Sequence, residues 1–318
     1  RTSLMRASQS GTVELVKMLI KDNIKKDYPF DEKYSALMVA CMNGHAEIIK
    51  MLLDKGSDVN YRLSDGTTAL IYAVQNGNSE IVNMLLQSGA DINNICRDGS
   101  TALIHASSKG KTEVVKLLLE RGARHDLKRN DGSTALTIAS GEGFRDIVSL
   151  LLDKGADPEV RERNGYTPFM LAVKNGYTDI VKLFLDRISN PDSHANDGVT
   201  PLMQACIGGY TEIARMLLGK GSEINARTPD GYTPLMLAAL NGHIETVKFL
   251  IDRGAEINQQ MTKGTTALML AASNMHLDVV RLLLDKGAKP DIKDNDGKTA
   301  IDYTESFAIK NLIKKYTK

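Results

Sequence analysis

The chain has 318 residues, with 40 Lys and Arg against 39 Asp and Glu, and that balance argues against a general electrostatic grip on nucleic acid or on an anionic membrane. No apolar run approaches the length that crosses a bilayer, so membrane insertion is not expected. Cys41, Cys96 and Cys206 fall in separate segments, which predicts free thiols and a reducing, cytoplasmic setting.

From the N-terminus onward one pattern returns. A Thr or Ser stands at Thr2, Ser35, Thr68, Thr101, Thr134, Thr167, Thr200, Thr233, Thr266 and Thr299, each 33 residues after the last. Five residues after it comes Ala, from Ala7 to Ala271, and nine after it comes Gly, from Gly11 to Gly242, with Met275 as the break. Such a period is the mark of stacked repeats. Residues 230–258, DGYTPLMLAALNGHIETVKFLIDRGAEIN, show the unit most clearly. Thr233 can cap a short helix that starts at Pro234, and Gly242 lets the chain leave it with positive φ. Val247, Leu250 and Ile251 mark the buried stripe of a second short helix that Gly254 ends. Each helix has about two turns, too few to stand alone, so the unit must lean on its copies.

Taken in order, unit one (about 1–33) is expected to be an N-terminal cap, with Arg6, Gln9 and Lys17 as polar positions and Asn23 in a turn that later units give to Gly. Units two to nine (34–296) are internal. Their connecting fingers carry Asp65–Gly66, Asp98–Gly99 and Asp131–Gly132, which are hairpin-turn signals. Ile188 stands where Gly155 and Gly221 stand in the flanking units. Either Asn190 takes over that turn or the backbone differs, and the junction of units six and seven is a candidate hinge. The last unit (297–318) carries Ile309, Leu312 and Ile313 on one helical stripe with Lys310, Lys314 and Lys315 facing away, as a C-terminal cap would. The chain starts at Arg1 without an initiator Met or a preceding finger, so a fragment or a processed chain is expected; a removed signal peptide would make it periplasmic or secreted.

Motifs for chemistry are sparse. Gly110-Lys111-Thr112 lacks the earlier Gly of a P-loop, which here is His105, and it lies between two helices; Gly297-Lys298-Thr299 fails the same test. His45, His243 and His276 share one slot, and only the last two lie in neighbouring units. No Cys-x-x-Cys, His-Glu-x-x-His or nucleophile elbow occurs. No catalytic residue, metal or cofactor is expected, and the chain is read as not an enzyme.

TPLMLAALNGHIETVKFLIDRGAEIN resembles the ankyrin repeat, whose pattern includes T-P-L-H-x-A, then G-H and G-A-D-x-N. The resemblance covers essentially the whole chain and recurs in phase. It implies an all-α solenoid of stacked helix-turn-helix units with β-hairpin fingers, here one array over residues 1–318. It also implies a binding module rather than a catalyst, and a monomer is expected. One departure is systematic: the family's His gives way to Met5, Met38, Ile71, Ile104, Thr137, Met170, Met203, Met236 and Met269, where apolar packing is expected to substitute.

In the family, the finger residues just before the Thr and the exposed first-helix residues face a concave groove. Here those positions include Tyr34, Arg62, Arg97, Arg129, Arg163, Tyr166 and Tyr232 on the fingers, and Met42, Tyr72, Gln75, His105, Lys109, Lys174, Gln204 and Leu240 on the helices. Tyr and Arg are enriched in interface hot spots. The expected function is a scaffold that binds another protein in this groove, the arginines pointing to acidic groups on the partner. Tyr166 and Tyr232 alternatively pack on their neighbours. Two other readings stay open: the regulatory or targeting part of a larger enzyme or channel, and an array that binds a small molecule or nucleotide.

Overall fold

The computed structural model describes residues 3–21 and 34–317. The expected cap at Thr2 and the turn at Asn23 lie outside them. The chain divides into two compact units, Arg1–Glu162 and Arg163–Lys318. The first holds five helix pairs among its described residues: α1 (Ser3–Ser10) and α2 (Val13–Lys21), α3 (Ala36–Asn43) and α4 (Ala46–Asp54), α5 (Ala69–Asn76) and α6 (Ser79–Gln87), α7 (Ala102–Ser108) and α8 (Thr112–Glu120), α9 (Ala135–Glu142) and α10 (Arg145–Asp153). The second holds α11 (Pro168–Lys174) and α12 (Thr178–Leu185), α13 (Pro201–Gly208) and α14 (Thr211–Gly219), α15 (Pro234–Leu240) and α16 (Ile244–Asp252), α17 (Ala267–Ser273) and α18 (Leu277–Asp285), then a 3-10 turn (Ala300–Tyr303) and α19 (Phe307–Lys314).

Within each unit, first helices pack on first helices and second on second, giving two layers. The first helices start where the sequence places their caps. Thr101, Thr134, Thr167, Thr200, Thr233 and Thr266 each accept, through the side-chain oxygen, the amide three residues on at 3.2–3.3 Å. Pro168, Pro201 and Pro234 follow at the first helical position, where a missing N–H costs nothing. Gly242 leaves α15 at φ 75°, and Met275 takes the same left-handed turn at φ 58°. Between the layers, Leu235, Ala238, Val247 and Leu250 are 0–1% exposed, and their counterparts repeat through both units. Burial of this kind, at about 25 cal/mol per Å² of apolar surface, replaces the stability each short helix lacks.

From Met5 to Met269 the slot where the family carries His is buried, and apolar packing is only part of its role. Met170 and Met269 place Sδ 3.5 and 3.4 Å from the amides of Thr167 and Thr266, and Thr137 Oγ1 accepts the Thr134 amide at 3.1 Å. In the last repeat Asp302 Oδ2 accepts the Thr299 amide at 2.8 Å. In these four repeats the side chain in this slot thus closes a box with the capping Thr.

The expected β-hairpins are not built as strands: no strand occurs among the described residues. Among the described residues the fingers are tight turns, most of them closed by one pair of bonds, as in Leu63 N–H to Thr67 O (3.0 Å) with Gly66 N–H to Leu63 O (2.9 Å). The next amide turns sideways to the preceding finger instead of extending a ladder. Arg97 N–H donates to Asp65 O (2.7 Å), Asn130 to Asp98 O (2.9 Å), Asn196 to Asn164 O (3.2 Å), Thr262 to Asp230 O (3.1 Å) and Asn295 to Lys263 O (3.0 Å). Pro229 occupies the same position and has no amide to give.

At Ile188 the backbone differs from its neighbours. It is not among the left-handed residues, and its amide closes the last turn of α12 on Phe184 O at 3.0 Å. Asn190 accepts the Asp192 amide through its side chain at 2.8 Å and likewise keeps negative φ. The altered loop, with Lys220, borders a cavity of about 330 Å³.

Candidate binding surface

In the first unit the finger and first-helix positions gather into small groups. Tyr34 and Tyr72 lie with ring centroids 6.3 Å apart, tilted by 55°. Burial, then the neighbouring Tyr34, pushes the Tyr72 phenol up to about 12, so it stays protonated. Met42 is half-buried and Gln75 exposed, while Asn76 Nδ2 ties their two repeats by donating to Cys41 O and Met42 O at 2.6 and 2.7 Å.

The next group forms around Asp98. Ser100 donates to this carboxylate from its hydroxyl (2.7 Å) and its amide (2.9 Å), and Arg129 Nη2 approaches at 3.6 Å. Burial works to raise the Asp98 pKa, and these donors and cations outweigh it and leave it lowered. Half-buried His105 is held below its ordinary value by burial, with Arg129 and Lys109 adding to the effect against the pull of Asp98. Lys109 and Arg97 are exposed, and Arg62 pairs with Asp91 at 3.2 Å.

In the second unit Gln204 Nε2 donates to the Tyr166 hydroxyl at 3.0 Å, and Lys174 Nζ sits 4.9 Å from the Tyr166 ring centroid. Arg163 is exposed; Tyr232 and Leu240 are half-buried. Tyr34, before the capping Ser35, and Tyr166, before the capping Thr167, therefore each lie against the first helix of the next repeat, at Tyr72 and Gln204. Of the fifteen candidates, the structure brings together Tyr34 with Tyr72, His105 with Lys109 and Arg129, and Tyr166 with Lys174 and Gln204.

Some residues of this surface were missed in the sequence. Asn130, Asn196 and Asn295 share a slot four residues before the Thr, and each donates from Nδ2 to the finger 33 residues earlier, at Arg97 O, Arg163 O and Thr262 O (3.0–3.1 Å). Their common register was the available signal. Asp98 looked like a turn residue alone.

The motifs set aside earlier have structural tasks. His45, His243 and His276 place Nε2 3.2, 2.8 and 3.0 Å from Gln9 O, Ile207 O and Leu240 O of the preceding repeat. Lys111 lies against Gly77, where an added Cβ would meet its Cδ at 2.7 Å. Among the described residues no group of three His, Cys, Asp or Glu could hold a metal, and no helix is long and apolar enough to cross a membrane. The three cysteines are free and buried, and burial pushes Cys41 up to about 12 and Cys96 to about 11, far from a reactive thiolate.

A family model for ankyrin repeats, taken three copies at a time, matches residues 4–96, 93–162, 154–228 and 220–296. The chain belongs to the ankyrin-repeat family. Comparison with curated proteins finds no match. The ankyrin assignment accounts for the capped first helices, the Gly turns and the two helix layers.

Proposed function

We propose that this ankyrin chain is a non-catalytic, monomeric scaffold that holds a partner protein against its first helices and fingers. The observation that carries this reading is the division of labour within each repeat. The Leu, Ala and second-helix aliphatic positions are buried between layers, while Arg62, Gln75, Arg97, Lys109, Arg163 and Lys174 stand exposed on the finger and first-helix side. Family membership supports a binding role, since ankyrin repeats generally serve as protein-interaction modules. Capped helices and bonded fingers preorganise the surface, so little ordering entropy is spent on association. Exposed Arg97 and Lys109 favour acidic groups on the part of the partner that meets the first unit. Three free cysteines favour a cytoplasmic setting.

The test is a crosslinking pull-down from native lysate with wild type beside an Arg97→Glu/Lys109→Glu/Lys174→Glu variant, both checked for equal folding by circular dichroism. The scaffold reading expects a protein captured by wild type and lost by the folded variant. Equal capture by both would place the contact on another surface and contradict it.

A further inference from the structure

The four first helices α11, α13, α15 and α17 of the second unit carry a single charged side chain, Lys174. Four and seven residues after each Thr they carry mostly aliphatic side chains, with Gln204, Lys174 and Ser273 as the exceptions: Leu171 and Leu240 are half-buried, Ile207 is 37% exposed, and Leu237 and Leu270 still reach solvent at 8%. Gln204 and Ile207 are i and i+3 on α13, as are Leu237 and Leu240 on α15, so the pairs share one face.

Set into this wall are polar groups with unused capacity. Gln204 is 8% exposed, and its Nε2 is spent on the Tyr166 hydroxyl at 3.0 Å. Its Oε1 has no hydrogen-bond donor among the described residues, and the Tyr166 O–H, an acceptor in that bond, still has its own proton to give. Burial and the neighbouring Asp197 carboxylate raise the Tyr166 pKa, so the proton is present at neutral pH. One donor and one acceptor therefore stand side by side among aliphatic carbons.

A primary carboxamide carries an N–H donor and a C=O acceptor at one end of a side chain. A carboxylate could accept from Tyr166, and Lys174 Nζ lies 4.9 Å from that ring centroid, but its second oxygen would be set against Gln204 Oε1 with no proton between the two acceptors. A purely aliphatic side chain would leave both groups desolvated and unpaired, which opposes binding. We propose that this face takes a neutral, aliphatic segment of the partner polypeptide bearing one Asn or Gln. The carboxamide oxygen of that residue accepts from the Tyr166 hydroxyl, and its NH2 donates to Gln204 Oε1. The proposal rests on the reading of the chain as a protein-binding module and names the chemistry that its second unit selects.

A random dodecapeptide display library panned on the full chain tests it. Enriched peptides, resynthesised with a fluorophore, are titrated by anisotropy against wild type, Gln204→Leu and Ile207→Glu; the last changes a solvent-exposed position and leaves the core intact. Thermal melting checks that each variant is folded. The expected result is uncharged sequences with Asn or Gln between Leu, Ile, Val or Met. Their affinity falls about tenfold on Gln204→Leu, and as much when the peptide's own carboxamide is replaced by an aliphatic side chain. Ile207→Glu abolishes binding.

Three results overturn the inference. Enrichment of Asp- and Glu-rich peptides alone, bound by Gln204→Leu and Ile207→Glu as tightly as by wild type, would refute it while leaving the scaffold reading in place. Neutral peptides indifferent to both variants would refute it too, as would no enrichment at all; the lysate pull-down judges the scaffold reading separately.

Discussion

Met275 shows how a single residue tests the repeat pattern. It occupies the turn that Gly holds in the preceding repeats, at φ 58° and 67% exposed, so it carries backbone strain without a packing role. A left-handed non-Gly residue costs about 1–2 kcal/mol, and Gly gives back about 0.5–1 kcal/mol through the freer unfolded chain. Met275→Gly is therefore expected to raise stability by about 1 kcal/mol in urea denaturation; an unchanged or lower midpoint would show the turn to be unstrained. This position was legible as a break in the Gly column, and so were the capping threonines. The Met column was only half legible. Its apolar character predicted burial, but the approach of Met170 and Met269 sulfur to a cap amide depends on a rotamer that no spacing encodes.

At the scale of elements, repeats are joined by side chains that reach back across a turn. His243 Nε2 meets Ile207 O at 2.8 Å while its ring fills the space over Gly209, where an added Cβ would lie 2.6 Å from Nδ1. His243→Ala is expected to cost about 1 kcal/mol, the worth of a typical net hydrogen bond. Gly209→Ala is expected to cost more in wild type than in the His243→Ala background, because only the first combines φ strain with a clash. A double-mutant cycle by urea denaturation reads the coupling, and strict additivity would show the imidazole to be a bystander. The fingers were legible as turns from Asp-Gly pairs such as Asp98–Gly99 but not as what they are. Hairpin signals specify the bend, whereas the sideways bond of Asn130 to Asp98 O needs the neighbouring finger in place. Ile188 was legible as an exception, and the outcome is a right-handed turn closed on Phe184.

For the whole molecule, a 33-residue period made the helix layers and the family readable, since every repeat states the same core. The binding surface was less readable because its pairs are distant in sequence. Tyr166 and Gln204 are 38 residues apart, and Asp98 gathers Arg129 and His105 from other segments. The central claim is that a partner lies on the first helices and fingers, and amide hydrogen exchange with and without the captured partner tests it most directly. The account predicts slowed exchange confined to fingers and first helices such as Ala102–Ser108 and Pro201–Gly208, with Thr112–Glu120 and Thr211–Gly219 unchanged. Slowing on those second helices, with the first helices and fingers unaffected, would contradict it.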